Sequence, residues 1–406
     1  MSNNKSILDQ IITNHKIEEV AKLDAIEIIN SLFGELNKRE QDVLTRRFGL
    51  HGQDRETLEK IGSVHKLTRE RIRQIECSGI KKLRELKNLN DYIAGLKKVI
   101  NQLLEEHGGL MEREYLINNL VNFSASGFNP QSEEDKIHRN HLDFMISKLL
   151  HDELEEVSAS KNFKNSFKLK YQTLDHMESL AEELLEKVKD AKKVFITADL
   201  INLAKQLKGF QENKEKFETP RNLDISSILG GDHFSEDAGL INSNKALYTI
   251  FQAVKSIDQN KFGHWGVYNW REIKPKTIND KIYLILKNHG KPMHFSEIAD
   301  RINNVSFDSK KANAATVHNE LILDDKYVLV GRGLYGLKEW GYSKGTVADV
   351  IESILKKSGE TFSRDEIIEK ALEQRVVKKA TVNLALMDRG RFKLKDGKYS
   401  IKKEDD

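Results

Sequence analysis

One cysteine, Cys77, and four prolines are all that 406 residues contain of the two most constraining residue types. A single thiol excludes both an intramolecular disulfide and a thiolate-rich zinc site. So few prolines leave no Pro-rich tether, and modules read along the chain are expected to form a semi-rigid string. No apolar run approaches the ~18 residues that span a bilayer. The opening MSNNKSILDQIITNHKIEEV alternates apolar and polar residues like a short amphipathic helix and lacks the apolar block of a secretory signal. A cytoplasmic, nucleoid-associated protein without membrane contact is expected. Nor is there a Gly-x-x-x-x-Gly-Lys phosphate loop or a nuclease or methyltransferase signature, so the chain reads as a non-enzyme with no catalytic residues and no cofactor. Gly230-Gly231-Asp232-His233 reads as a turn. His138 and His141 lie three apart with His151 downstream, but no cysteine or spaced acid completes a ligand set. They read as surface histidines, and no metal is expected.

What is present is charge. Charged residues make up 32% of the chain and hydrophobic ones 38%, a balance suited to modest cores in several domains. Residues 38–87 hold fourteen Lys+Arg against eight Asp+Glu, a net of +6 on a chain whose total is +3. A local basic excess on a near-neutral chain is the footprint of a phosphate-binding module. Within it, LNKREQDVLTRRFGLHGQDRETLEKIGSVHKLTRERIRQIECSGIKKLR (36–84) reads as a helix-turn-helix. Thr57 and Thr68 are each placed to N-cap a helix, because a short hydroxyl satisfies an orphan backbone donor. On the second helix Ile72, Ile75, Gly79, Leu83 and Leu86 recur at helical spacing toward the core. Glu70, Arg73, Gln74 and Cys77 then point outward, with Arg69 at the flank. Arginine bonds guanine bidentately, glutamate accepts from the cytosine amine and glutamine pairs with adenine, so this face carries major-groove chemistry.

REQDVLTRRFGL, TLEKIG and TRERIRQIE followed by KKLR resemble region four of the housekeeping bacterial sigma factors. The resemblance covers about 50 of 406 residues. It implies a module that reads the upstream promoter hexamer and docks on the RNA polymerase flap. Carried over position by position, it implies base and backbone contacts at Arg69, Glu70, Arg73 and Gln74. Thr68 and Arg71 complete the DNA-contacting set, and Arg46, Arg47 and Lys66 are expected phosphate contacts. Three residues depart from the family pattern: His65 at the turn, Lys60 in place of a capping-box acid, and Gly79 inside the long helix. A mid-helix glycine costs about 1 kcal/mol against alanine, so a less stable module is expected.

The remainder repeats a pattern. Three helix-like segments end at Gly108, Gly290 and Gly359, the usual C-terminal stop. Each is followed by a second helical pattern, EREYLINNL, FSEIADRI or SRDEIIEKAL. In the last two copies a third helix opens at Thr316-Val317 and Thr381-Val382, before the hairpins KYVLVGRGLYGL and RFKLKDGKYSI. Asp396-Gly397 is a type I′ turn signal. Helix, helix, helix and hairpin is the winged-helix plan. GKPMHFSEIA, ATVHNELILDD and VGRGLYGLKEWGY resemble the HARE-type winged helix of RNA polymerase delta subunits and of various chromatin and restriction proteins.

The expected fold class is mainly α, a helix-turn-helix followed by several winged-helix modules. The expected divisions are an N-terminal helical segment (1–35), the region-four-like module (36–90), a winged-helix-like module (91–172), a candidate further one (176–274), the HARE-type winged helix (275–342) and a diverged repeat (343–402). GFQENKEKFETPRN, with Pro220, reads as a loop, and Trp270 and Trp340 as closing the wings of their modules. Arg332, beside two glycines, and Lys393, Lys395 and Lys398 around the last turn are candidate wing contacts.

Region four stands first here, after about 36 residues whose sole aromatic is Phe33, so the chain is not expected to melt a promoter as a sigma factor does. Three readings stay open. The first is a transcription regulator binding double-stranded promoter DNA and the flap region of RNA polymerase core. The second is a sigma mimic or delta-like polymerase subunit that reads no bases. The third is a DNA-state sensor in a restriction or defence system.

Overall fold

The computed structural model describes residues 24–124, 132–150, 152–158, 160–342, 345–375 and 377–402. The amphipathic segment expected at the N-terminus lies outside them, as does His151. The chain divides into two compact units, Met1–Tyr268 and Asn269–Asp406.

The first unit opens with four helices whose ends are set by local chemistry. Asp24 caps α1 (Ala25–Phe33), and Asn37 and Glu40 form a reciprocal capping box on α2 (Lys38–Phe48). Gly49 stops α2 in the left-handed region at φ +67. The caps read at Thr57 and Thr68 then start α3 (Leu58–His65) and α4 (Arg69–Arg84). Next come α5 (Leu89–Glu106), β1 (Leu110–Glu112), α6 (Arg113–Ser124), α7 (Glu133–Phe144) running into one π-turn, and the hairpin β2 (Leu154–Val157) and β3 (Ser166–Leu169). The antiparallel sheet has the order β1-β3-β2, which is winged-helix topology.

The plan recurs at once. It uses α8 (Asp175–Ala191), α9 (Thr197–Gln206), the short helices α10 (Lys208–Gln211), α11 (Lys214–Phe217) and α12 (Ala238–Asn242), then α13 (Lys245–Ala253) and the hairpin β4 (Ile257–Gln259) and β5 (Trp265–Val267). A single bridge from Phe195 to Trp265 stands in for the first strand. The stretch read as a loop around Pro220 instead holds α10 and α11. Their Phe210 and Phe217 rings stack at 5.3 Å and are buried, an apolar reward that outweighs the polar composition. The tryptophan that closes this wing is Trp265, 1% exposed, with its indole N–H donating to Thr197 Oγ1 at 2.9 Å. Trp270 is half-buried and belongs to the second unit.

The helix-turn-helix is docked on the first winged fold. Phe144 packs edge-on against Phe33 at 6.2 Å and tilted on Phe48 at 4.9 Å. Arg55 Nη2 donates to Asn140 and to Asp143 at 2.9 and 2.8 Å, and Arg84 Nε donates to the Lys148 carbonyl at 2.6 Å. The two winged folds of this unit are joined by an ion pair between Lys245 and Glu106 at 2.6 Å, each side chain 1% exposed. Glu106 also accepts the backbone N–H groups of Asn222 and Leu223, so the buried carboxylate is fully engaged. Winged folds commonly present their third helices outward, but here both are packed inside the unit to a large extent. α7 buries His138, His141 and Phe144, and every residue of α13 except Gln252 is buried. The surface histidines expected from the sequence are therefore interior. Among the described residues no group of three metal-ligating side chains comes together.

The second unit repeats the topology twice. First come α14 (Ile278–His289), β6 (Met293–His294), α15 (Phe295–Val305), α16 (Ala314–Leu323), β7 (Tyr327–Gly331) and β8 (Leu334–Leu337), with sheet order β6-β8-β7. Then come α17 (Val347–Ser358), β9 (Phe362–Ser363), α18 (Arg364–Gln374), α19 (Lys379–Leu386), β10 (Phe392–Lys395) and β11 (Lys398–Ile401), with order β10-β11-β9. Gly290 and Gly359 end the first helices at φ +72 and +67, as their spacing implied. The third helices start two residues earlier than Thr316 and Thr381, because Asn313 supplies the cap for α16. Asp396 and Gly397, at φ +53 and +78, make the expected primed turn. No described helix is long and apolar enough to cross a membrane.

Candidate nucleic-acid interface

Val43, Ile61, Ile72 and Ile75 form the core that holds α3 against α4, with Leu58 and Leu67 packed on its edge. Lys66 turns the chain in the left-handed region, and Gly62 is required beneath it: a Cβ there would lie 2.7 Å from the Leu67 carbonyl oxygen. Leu83 is buried as its spacing implied, while Leu86 follows the helix and is only half-buried. Gly79 is buried where α4 crosses α2. A Cβ would meet Leu44 Cδ1 at 3.2 Å, so the glycine lets the two helices approach. The other departures also have local partners. His65 Nε2 lies 2.7 Å from Asp42, and Lys60 Nζ pairs with Glu56 at 2.9 Å.

Glu70, Arg73, Gln74 and Cys77 are exposed on one face of α4, with Arg69 and Arg71 exposed at its first turn. Their side chains are ordered by one another. Arg73 Nη2 and Nε donate to the Glu70 carboxylate at 2.7 and 2.9 Å. That guanidinium holds the Glu70 carboxyl below its ordinary value, and the carboxylate raises the arginine in turn. Arg71 donates to Gln74 at 3.0 Å, and Arg69 reaches Glu59 at 3.5 Å. Thr68 spends its hydroxyl on the backbone N–H of Arg71, which makes it the cap of the reading helix. Lys66 is exposed at the turn.

Arg46 and Arg47 are placed differently. Arg46 bonds Asp42 at 3.0 Å and Glu56 at 3.5 Å, contacts that raise its pKa, and Arg47 donates to the Glu56 carbonyl at 3.1 Å. Both bind the loop before α3 to α2. Lys38 and Arg39, which the sequence did not single out, share a groove of about 560 Å³ with Arg71, Gln74 and Ser78. Both are exposed, so the N-terminus of α2 adds two cations beside the reading face. The charge excess from residue 38, and for Arg39 its place at the start of REQDVLTRRFGL, were their traces in the sequence.

In the second unit, Arg332 is exposed at the tip of the β7–β8 wing beside Gly333, whose φ is +68. Lys395 and Lys398 face each other across the last hairpin, and Lys393 lies two residues along β10; all three are exposed.

A capped helix pair with a basic outer helix, followed by winged folds, defines a mainly α protein built from DNA-binding types of domain. Residues 32–85 match the family Sigma-70, region 4, and residues 276–340 match HARE-HTH, the helix-turn-helix domain family named for ASXL and restriction endonuclease proteins among others. The fusion read from the sequence is thus present. The chain is similar to the RNA polymerase sigma factor SigA1 of Synechococcus elongatus, 46% identical over 67 residues, or 16% of this chain and 17% of that protein. The sigma factors SigA of Microcystis aeruginosa and of Synechocystis sp. are each 45% identical over 67 residues, 16% of either chain. The chain therefore spans about a sixth of the length of the curated relatives it matches. No solved structure matches.

Proposed function

We propose that this protein is a non-enzymatic transcription regulator that binds double-stranded promoter DNA through α4 and associates with RNA polymerase core at its flap. The observation that carries the reading is the exposed set Arg69, Glu70, Arg73 and Gln74 on a capped helix. Arg71, Lys66, Lys38 and Arg39 border that set with cations suited to phosphate. The third helix α13 is buried and α7 buries the face that carries His138, His141 and Phe144, which favours α4 as the reading element of the first unit. The divisions at 91–172, 176–274 and 343–402 are proposed as winged modules that scaffold or extend this reader.

The second reading, a sigma mimic that occupies polymerase without reading bases, draws on the Glu70–Arg73 and Arg71–Gln74 contacts. Paired with one another, these side chains turn part of their hydrogen-bonding capacity inward. Selection of bound duplexes from a random pool, together with purification on tagged polymerase core, separates the two. Enriched sequences and retained core support the regulator. Retained core with no enriched sequence supports the mimic, and loss of both removes the transcriptional reading.

A further inference from the structure

The last winged module carries an open groove of about 810 Å³ between the end of α19 and the wing. Its floor is apolar: Leu386 and Phe392 are each 4% exposed, and Tyr399 packs partly buried on the same core. On that floor stand two large side chains that solvent reaches, Met387 at 67% and Leu394 at 59% exposure. Leu384, one helical turn before the groove, is 71% exposed. Single exposed apolar residues are ordinary on protein surfaces, but two lining one groove, with a third exposed on the helix that leads to it, are the pattern of a binding surface. The rim has one sign of charge. Arg389, Lys393 and Lys402 line it, and no carboxylate does among the described residues.

The preceding module supplies an internal comparison. Ile322 and Met387 each stand five residues before the first wing strand, and Leu329 and Leu394 are each the third residue of that strand. Ile322 and Leu329 are also exposed, at 60% and 46%. There, however, Asp324, Asp325 and Lys326 lead from α16 to the wing, with Asp324 at the position that Arg389 holds in the last module. Equivalent positions thus keep the apolar pair, while Asp324 gives way to Arg389 on the groove rim.

We propose that the groove of the last module docks an acidic amphipathic helix of a protein partner, its apolar stripe on Met387 and Leu394 and its carboxylates on Arg389, Lys393 and Lys402. A phosphodiester backbone would match the cations but would leave the apolar side chains uncovered. A helix with leucines on one face and glutamates beside them satisfies both. The rim charges speed encounter and select sign, while the apolar contacts set the residence time.

The test uses the full chain and three fluorescent probes: a synthetic Leu/Glu amphipathic helix, the same helix with Lys replacing Glu, and a random-sequence DNA duplex. The Leu/Glu helix is expected to bind, and the Leu/Lys helix to bind at least about tenfold more weakly. Leu394→Glu and Lys402→Glu should each weaken the Leu/Glu helix about tenfold, whereas Leu329→Glu should leave it unchanged. Leu394 is mostly exposed, and an unchanged circular dichroism melt will show that the variant core is intact. Absence of Leu/Glu binding, or binding indifferent to Leu394→Glu, overturns the proposal. So does duplex binding that Lys402→Glu weakens and Leu394→Glu does not, which would make the wing a nucleic-acid surface. Self-association in sedimentation that Leu394→Glu abolishes would also overturn it, assigning the groove to a second copy of the chain.

Discussion

Arg73→Ala isolates the base-reading claim. In the free protein Arg73 is held by Glu70, with Nη2 to Oε1 at 2.7 Å, but the two side chains are 56% and 59% exposed. Solvent screening makes an exposed pair of this kind worth at most a fewfold in an equilibrium constant. A bidentate arginine–guanine contact discriminates by about five- to 150-fold. Exchanging Glu70 for guanine is therefore downhill toward the upper part of that range, and the net contribution left to Arg73 is up to about thirtyfold in affinity for the preferred duplex. Fluorescence anisotropy on the selected duplex and on single-base variants should show that loss, with preference relaxed at one base pair and nearly unchanged affinity for random DNA. Glu70→Ala serves as the control. If Glu70 only restrains Arg73, its removal raises affinity severalfold. If Glu70 accepts from a cytosine amine, its removal lowers affinity at a neighbouring position. Equal affinity of wild type and Arg73→Ala for every duplex in the pool would refute the reasoning.

Phe144→Ala removes a ring 1% exposed that touches Phe33 and Phe48. It should cost about 3–5 kcal/mol in urea unfolding and speed amide exchange across 25–84. Lys245→Ala strands the buried Glu106 carboxylate and should cost about 3–5 kcal/mol, most of it recovered when Glu106→Gln and Lys245→Met are combined. Burial lowers His141 from its ordinary 6.5 to about 4, with His51 adding to the effect. The unfolded chain thus takes a proton that the fold refuses, and stability should be full above pH 6.5 and fall between there and pH 4. His141 should account for up to ~3 kcal/mol of the loss, beside His51, His107, His138 and His176, which burial also lowers, and His141→Leu should make the slope of melting temperature against pH shallower in that window. Residues 269–402, which form a compact unit of their own, should unfold cooperatively as an isolated fragment; a broad, sigmoid-free melt would count against that.

Short-range chemistry made much of this protein legible in its sequence. Thr57 and Thr68 cap helices because a hydroxyl beside a helix start needs no distant partner. Gly290, Gly359 and Asp396-Gly397 stop or turn the chain because positive φ is a property of one or two residues. The outward face of α4 followed from 3.6-residue periodicity alone, which says which side of a helix is apolar. Periodicity does not say what that side meets. His138 and His141 read as polar surface and became interior only because α7 packs under α1 and α2. Arg46 and Arg47 read as phosphate contacts, and nothing in the sequence signalled that both also bind Glu56 in the loop before α3. Gly79 looked like a defect until Leu44 appeared across from it. Lys38 and Arg39 joined the reading face through the crossing of α2 and α4. In each case the deciding contact is between elements that the sequence separates, and only chain folding sets the desolvation and pairing that such a contact imposes.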